Sequence, residues 1–258
     1  MAKTILLAGK EMPAGSKFAD GLVLSGRNVA VSGPEQEGGE DSDISRQINA
    51  VSGVSVIEWH RTSPVSSRSL ILGTETFFDK MDEAVLYFDE EWYASTEGAL
   101  TMEECLRGSD ELIFPYQCLT LEILSRFEKK NSTGMPGSLV FLLKESPCIA
   151  DTLRSPAMRN GVSAIASPVI AAAAAAFAAF AENIAVQYGN QPFVNVLLVR
   201  GDRSTDIVAS DVELAKWLGG YLQALEDNGM KASAKKSLAW LKPGTKFSSG
   251  TFFSFGKH

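Results

Sequence analysis

Short apolar runs alternate with longer stretches of helical periodicity along almost the whole chain. Thr4–Ala8 (TILLA) reads as a buried strand, and so do 28–31 (NVAV), 54–59 (VSVIEW), 84–88 (AVLYF), 138–143 (SLVFLL), 193–199 (FVNVLLV) and 250–255 (GTFFSF). Between them, Phe18, Leu22 and Val23 recur at helical spacing within 16–24. A stretch through Phe77 and Phe78 is predicted helical. Thr101-Met102-Glu103-Glu104 is a capping-box signature opening a helix towards Lys130, bent or broken around Pro115. Residues 211–226 place Leu214, Trp217, Leu218, Tyr221 and Leu225 on one face. Strands alternating with helices predict an α/β fold: a doubly wound, mostly parallel, Rossmann-like sheet of about seven strands with helices on both faces. No internal repeat or linker divides the chain, so one domain over 1–258 is expected.

The smoothest element is 167–189. Ser167 is placed to cap it, Pro168 suits the first helical position, and Gly189 offers a left-handed stop. Ala171 to Ala176 form an unbroken alanine run, followed by an apolar stripe of Phe177, Phe180, Ile184 and Tyr188. The apolar part is 14 residues and mostly alanine, short of the roughly 20 strongly apolar residues a membrane span needs, so it reads as a core helix.

Composition narrows the picture little. At 258 residues, 45% hydrophobic and 21% charged, the chain can bury a sizeable core. A net charge of −7 disfavours nucleic-acid partners. Cys105, Cys118 and Cys148 lie far apart without a CxxC pair, which points to reduced thiols and neither a disulfide framework nor a structural metal site. The N-terminal apolar segment is too short for a signal-peptide core, so a cytoplasmic location and no membrane association are expected. Residues 32–43 are acidic and glycine-rich and read as an exposed loop.

Layout and a few residues resemble the short-chain dehydrogenase/reductase family. That family opens with a strand and T-G-x-x-x-G-x-G. Here Ala8, Gly9, Pro13 and Gly15 stand at those positions. Asn195 in Val194-Asn195-Val196 resembles the family's V-N pair, and Gly250-Thr251 its T-G approach to the last strand. The resemblance implies a dinucleotide cradle of backbone N–H groups at Gly9, Lys10 and Gly15, for NAD or NADP. Pro13 has no N–H to offer such a cradle. The strand that leads into N-N-A-G in the family ends here in Asp89-Glu90-Glu91, whose charge opposes an anionic cofactor unless Lys10, Arg61 or Lys144 compensates.

The same resemblance implies a tyrosine proton donor with a lysine four residues later. In register with Ile184-Ala185 those positions fall at Ala171 and Ala175, and alanine transfers no proton. The serine position falls near Lys144, with Ser146 close by, and the asparagine near Leu112. The family also implies a homo-dimer or tetramer through the helices starting at Thr101 and Pro168.

Three readings follow. The first is a scaffold that has lost its chemistry. The second is a binding protein that holds a dinucleotide or other small molecule through Gly9, Gly15 and the strand-end residues Lys10, His60, Lys144 and Arg200. The third is an atypical oxidoreductase with relocated catalytic residues, with Lys144, Ser146, Tyr87, Tyr93 and Cys148 as candidates and His60 as a possible base.

Overall fold

Period-two alternation along the strands decides which helices cover which face of the sheet. The computed structural model describes residues 2–34, 53–94, 100–130, 136–147, 167–228 and 239–247. Within them β1 (Thr4–Ala8), β2 (Asn28–Gly33), β3 (Val54–Glu58), β4 (Glu83–Asp89), β5 (Gly137–Glu145) and β6 (Val194–Asp202) form one sheet in the order 3-2-1-4-5-6. Every pairing is parallel. The expected strand at 250–255 lies outside the described residues, as does Cys148. A single parallel bridge from Leu241 to Val199 continues the sheet beyond β6.

The helices are α1 (Ser16–Leu24), α2 (Pro64–Phe78), α3 (Glu90–Ala94), α4 (Met102–Leu112), α5 (Phe114–Lys130), α6 (Pro168–Tyr188), α7 (Asp206–Ala209) and α8 (Asp211–Asp227). Ile5, Leu7, Val85, Tyr87, Val140 and Leu197 point to one face and bury against Phe18 and Leu22 of α1 and Leu214 and Leu218 of α8. Leu6, Ala8, Leu86, Phe88, Phe141 and Leu198 point to the other and bury against Leu70, Leu119, Ile123 and Phe177 of α2, α5 and α6. Both faces are covered, as a wholly parallel sheet requires. The expected doubly wound α/β architecture is present.

Three local expectations meet the structure with differences. Ser167 Oγ accepts the Ile170 N–H at 3.0 Å and Pro168 stands in the first turn of α6. Gly189, however, is right-handed at φ −59°, and its N–H still bonds to Ala185 O, so the helix runs out without a left-handed stop. Thr101 Oγ1 accepts the Glu104 N–H at 3.2 Å, but the Glu104 carboxylate turns to Arg107 at 2.7 Å and leaves the capping box half made. The bend near Pro115 is a full break between α4 and α5, with Pro115 at the start of α5 where no N–H is missed.

By length and composition α6 could cross a membrane, with a mean hydropathy of 1.9. In this fold one side of it packs on the sheet: the Phe177 ring lies 4.9 Å from Tyr116, 5.4 Å from Phe88 and 5.8 Å from Phe141. The opposite side, with Ala171, Ala172 and Ala175, is exposed.

Candidate functional site

In a doubly wound sheet the crevice for a ligand opens where the strand order reverses, beyond the carboxyl ends of the strands. Here that point lies between β1 and β4. Gly9 follows β1 with φ +118°, and a Cβ there would sit 2.1 Å from Tyr87 O and 2.5 Å from the Tyr116 hydroxyl. Tyr116 donates its hydroxyl to Tyr87 O at 2.8 Å. Close packing by the chain's own β4 and α5 thus requires the glycine, whether or not a cofactor ever approaches.

Lys10 comes next and reaches into the crevice. Its Nζ donates to Asp89 Oδ2 and to Asp211 Oδ2, each at 2.6 Å. Lys144, which the β4–β5 register sets beside Asp89, donates to Asp211 Oδ1 at 2.7 Å and lies 3.8 Å from Asp89 Oδ2. The Tyr87 hydroxyl donates to the same Asp211 Oδ1 at 2.9 Å. Asp89 Oδ1 meanwhile accepts the Glu91 and Trp92 N–H groups at the start of α3. Two cations and two anions therefore close on one another, with side-chain exposures of 11% for Lys10, 1% for Asp89, 4% for Lys144 and 8% for Asp211. Buried charge is tolerable only when paired and hydrogen-bonded in this way.

Burial favours the neutral form of Asp211, but Lys10 and Lys144 outweigh it and hold the pKa below the usual carboxylate range. Burial likewise disfavours the Lys10 ammonium, and the carboxylates of Asp89 and Asp211 more than reverse this, so its pKa is raised. Tyr87 and Lys144 do meet at one carboxylate oxygen, an echo of a tyrosine–lysine pair. Yet burial and the two aspartates push the Tyr87 pKa well up, the opposite of what a proton donor at neutral pH needs.

The neighbouring half of the crevice is filled as well. Arg61, two residues past Trp59 at the end of β3, donates to Glu11 Oε1 at 2.7 Å, to the Tyr93 hydroxyl at 2.8 Å, to Glu111 O at 3.1 Å and to Gly9 O. Its guanidinium lies 5.0 Å from the Trp59 ring, 5.4 Å from Trp92 and 5.2 Å from Tyr93. Tyr93 and Tyr116 share a hydrogen bond of 2.6 Å.

The loop from β1 to α1 spends its donors internally. Met12 N–H bonds to Ser32 O at 3.0 Å, Gly15 N–H to Glu11 O at 2.8 Å, and Ser16 N–H to Pro13 O at 3.1 Å. The Met12–Pro13 peptide is cis. A Cβ at Gly15 would meet Lys10 O at 2.3 Å, so this glycine too serves a tight turn. These residues fit the pyrophosphate cradle that the resemblance implies poorly: the Met12, Gly15 and Ser16 N–H groups are bonded within the protein, and Pro13 has none to give.

Other expected residues scatter. Arg61 does not neutralise Asp89, since its partner is Glu11. Asp89 is neutralised by two of the three expected cations: the Lys10 and Lys144 ammoniums hold it in the interior. Glu90 Oε2 accepts the Ser146 N–H at 2.7 Å, and burial with the nearby Glu145 and Asp89 charges lifts its pKa to about 7. The Ser146 hydroxyl is buried without a partner among the described residues and does not line the cleft. Arg200 pairs with Glu145 at the edge of the sheet, and His60 is exposed beyond β3. Ala171 and Ala175 face outward on α6 and do not line the cleft either.

Asp211 carries the cluster and escaped the sequence reading. Ser210 Oγ caps α8 through the Glu213 N–H at 3.3 Å, and an acidic residue after a capping serine looks like ordinary helix chemistry. Beside the cluster remains a cleft of about 620 Å³, lined by Lys10, Pro13, Ala14, Ser16 and Lys17 on one side and by Trp92, Lys144, Arg203 and Asp211 on the other. Glu91, at its edge, pairs with Arg203.

No protein-family profile matches this sequence, and no curated protein does. Solved structures do. A short-chain dehydrogenase from Mycobacterium smegmatis is 18% identical, with 96% of this chain and 93% of that one covered and a TM-score of 0.61. The 3-ketoacyl-(acyl-carrier-protein) reductase from Brucella melitensis, solved with NADH, is 11% identical over 93% of this chain and 96% of its own, with a TM-score of 0.57. An NADH-dependent reductase of alginate metabolism is 13% identical over 94% and 96%, with a TM-score of 0.55. The chain thus has the Rossmann-like fold of the short-chain dehydrogenases and reductases.

Proposed function

We propose that this chain is a non-catalytic relative of the short-chain dehydrogenases and reductases, acting in the cytoplasm as a scaffold or small-molecule-binding protein. The observation that carries this reading is the Lys10–Asp89–Lys144–Asp211 cluster. It sets four mutually neutralised side chains at the switch point, where an oxidoreductase of this fold would keep room for its dinucleotide. Ala171 and Ala175 supply no acid and no base. A panel of aldehydes and ketones, incubated with NADH or NADPH and the purified protein, tests it: nicotinamide absorbance stays at the protein-free rate. Turnover that is lost in Lys144→Ala or Ser146→Ala would instead establish the atypical oxidoreductase with relocated catalytic residues.

Self-association belongs to the same proposal. Met102 (72% exposed), Leu106 (59%) and Leu121 (60%) on α4 and α5 lie open to solvent, as do the alanines of α6. Such a face supports a homo-dimer or tetramer through the helices that start at Thr101 and Pro168.

A further inference from the structure

The cleft left beside the charge cluster has a chemistry of its own. Its walls come from the start of α1, from α3, from the ends of β5 and β6 and from the start of α8. Among the described residues none from the β2 or β3 ends lines it, and the β3 side of Gly9 is taken by Arg61. A dinucleotide extends its adenosine half towards the end of β2. The cleft lined by the described residues therefore corresponds to the half of the crevice on the β4–β6 side.

Its floor holds two ammonium groups with donors to spare. Lys10 has three N–H donors and gives two to aspartates, and Lys144 gives one to Asp211. Both side chains are about nine-tenths buried or more and line the cleft. At the rim, Lys17 is exposed and pairs with no carboxylate among the described residues, while Arg203 pairs with Glu91. Summed over the lining, Lys10, Lys17, Lys144 and Arg203 face Asp89, Glu91 and Asp211, which leaves one positive charge in a chain whose net charge is −7. Ser16, in the first turn of α1, lines the same space.

We propose that this cleft binds a small phosphate monoester, with Lys17, Arg203 and the spare Lys10 donor on the phosphate and the organic body against Trp92. A tetrahedral oxyanion suits a guanidinium and two ammoniums together. A volume of about 620 Å³ takes a ligand of that size. The inference rests on the reading that the crevice does not hold a dinucleotide.

Ribose 5-phosphate is the probe, with inorganic phosphate, succinate and NADH as comparison ligands, in calorimetric titrations of the full chain. Saturable ribose 5-phosphate binding is expected, weakened about tenfold or more in Lys17→Glu and in Arg203→Ala, and unchanged in Lys129→Glu on the distant end of α5. Inorganic phosphate competing more weakly supports the site. No binding at about 10 mM, a level far above a working metabolite site, overturns it. So does equal binding of succinate, or equal weakening by Lys129→Glu. Competition by NADH overturns this inference and the reading that the switch point excludes a dinucleotide together, whereas failure of ribose 5-phosphate with no NADH binding overturns this inference alone.

Discussion

Lys10 Nζ lies 2.6 Å from Asp211 Oδ2, across 201 residues of sequence, and the contact joins the β1 end to the start of α8 at the mouth of the sheet. Each group would be costly there without the other, because both are withdrawn from water. Asp211 also receives Lys144 and Tyr87, so one carboxylate serves three donors. Its replacement by alanine leaves two buried ammoniums short of a partner. Asp211→Ala is expected to lose about 3–5 kcal/mol of unfolding free energy, read from urea denaturation against wild type. A loss below about 1 kcal/mol would be the size of a surface pair and would show that the cluster is not held closed by this residue.

The cluster also sets a pH window. Asp211 has its pKa lowered by folding, so its contribution is present above the ordinary carboxylate range and is lost as pH falls through the folded value. Lys10 has its pKa raised, so its contribution is full below the ordinary lysine range and is lost as pH rises through the folded value. The stability difference between wild type and Asp211→Asn should therefore be flat from about pH 5 to about pH 10 and shrink at both ends. Chemical denaturation across that range checks it. A difference that vanishes near neutrality would contradict the assignment.

Gly9 is required by packing. Its φ of +118° and the 2.1 Å approach of Tyr87 O leave no place for a methyl group. Gly9→Ala should cost about 2–4 kcal/mol, with no dinucleotide in the buffer. Differential scanning calorimetry reads this directly, and an unchanged melting temperature would mean that the glycine is retained for some other purpose.

The exposed apolar side of α4 and α6 gives the oligomer prediction. Leu106→Glu combined with Ala175→Glu places charges on exposed positions and leaves Phe177 and the core untouched. Light scattering after gel filtration should show the wild type as a dimer or tetramer and the double variant as a folded monomer. Unchanged assembly would remove this face from the interface. Ala174 is a poor place for such a test, since it is only 5% exposed and belongs to the core.

The strands, the helices and the doubly wound class were legible because apolar runs and helical periodicity are written locally, as in Thr4–Ala8 and Asp211–Asp227, whereas the strand order 3-2-1-4-5-6 depends on pairings between distant segments. The alanine helix was legible for the same reason, down to Ser167 as its cap. Gly189 was not, because a helix can run out in right-handed geometry without a signal distinct from a left-handed stop. The site was half legible. Lys10, Lys144 and the Asp89 carboxylate could be placed at strand ends, but their pairing depends on a residue from the far end of the chain. Nothing near Asp211 marks it as more than a helix-start acid. Arg61 shows the same limit: its sequence neighbours do not reveal that Glu11, Tyr93 and Gly9 converge on it.

The chain's own Lys10, Asp89, Lys144 and Asp211 side chains occupy the switch point where a dinucleotide would lie. Titration of the wild-type protein with NADH and NADPH, followed by nicotinamide fluorescence, tests it most directly. No saturable change is expected up to about 1 mM of either, a weaker affinity than the micromolar range of a working cofactor site. Saturable binding below about 100 μM, well inside that range, would contradict it.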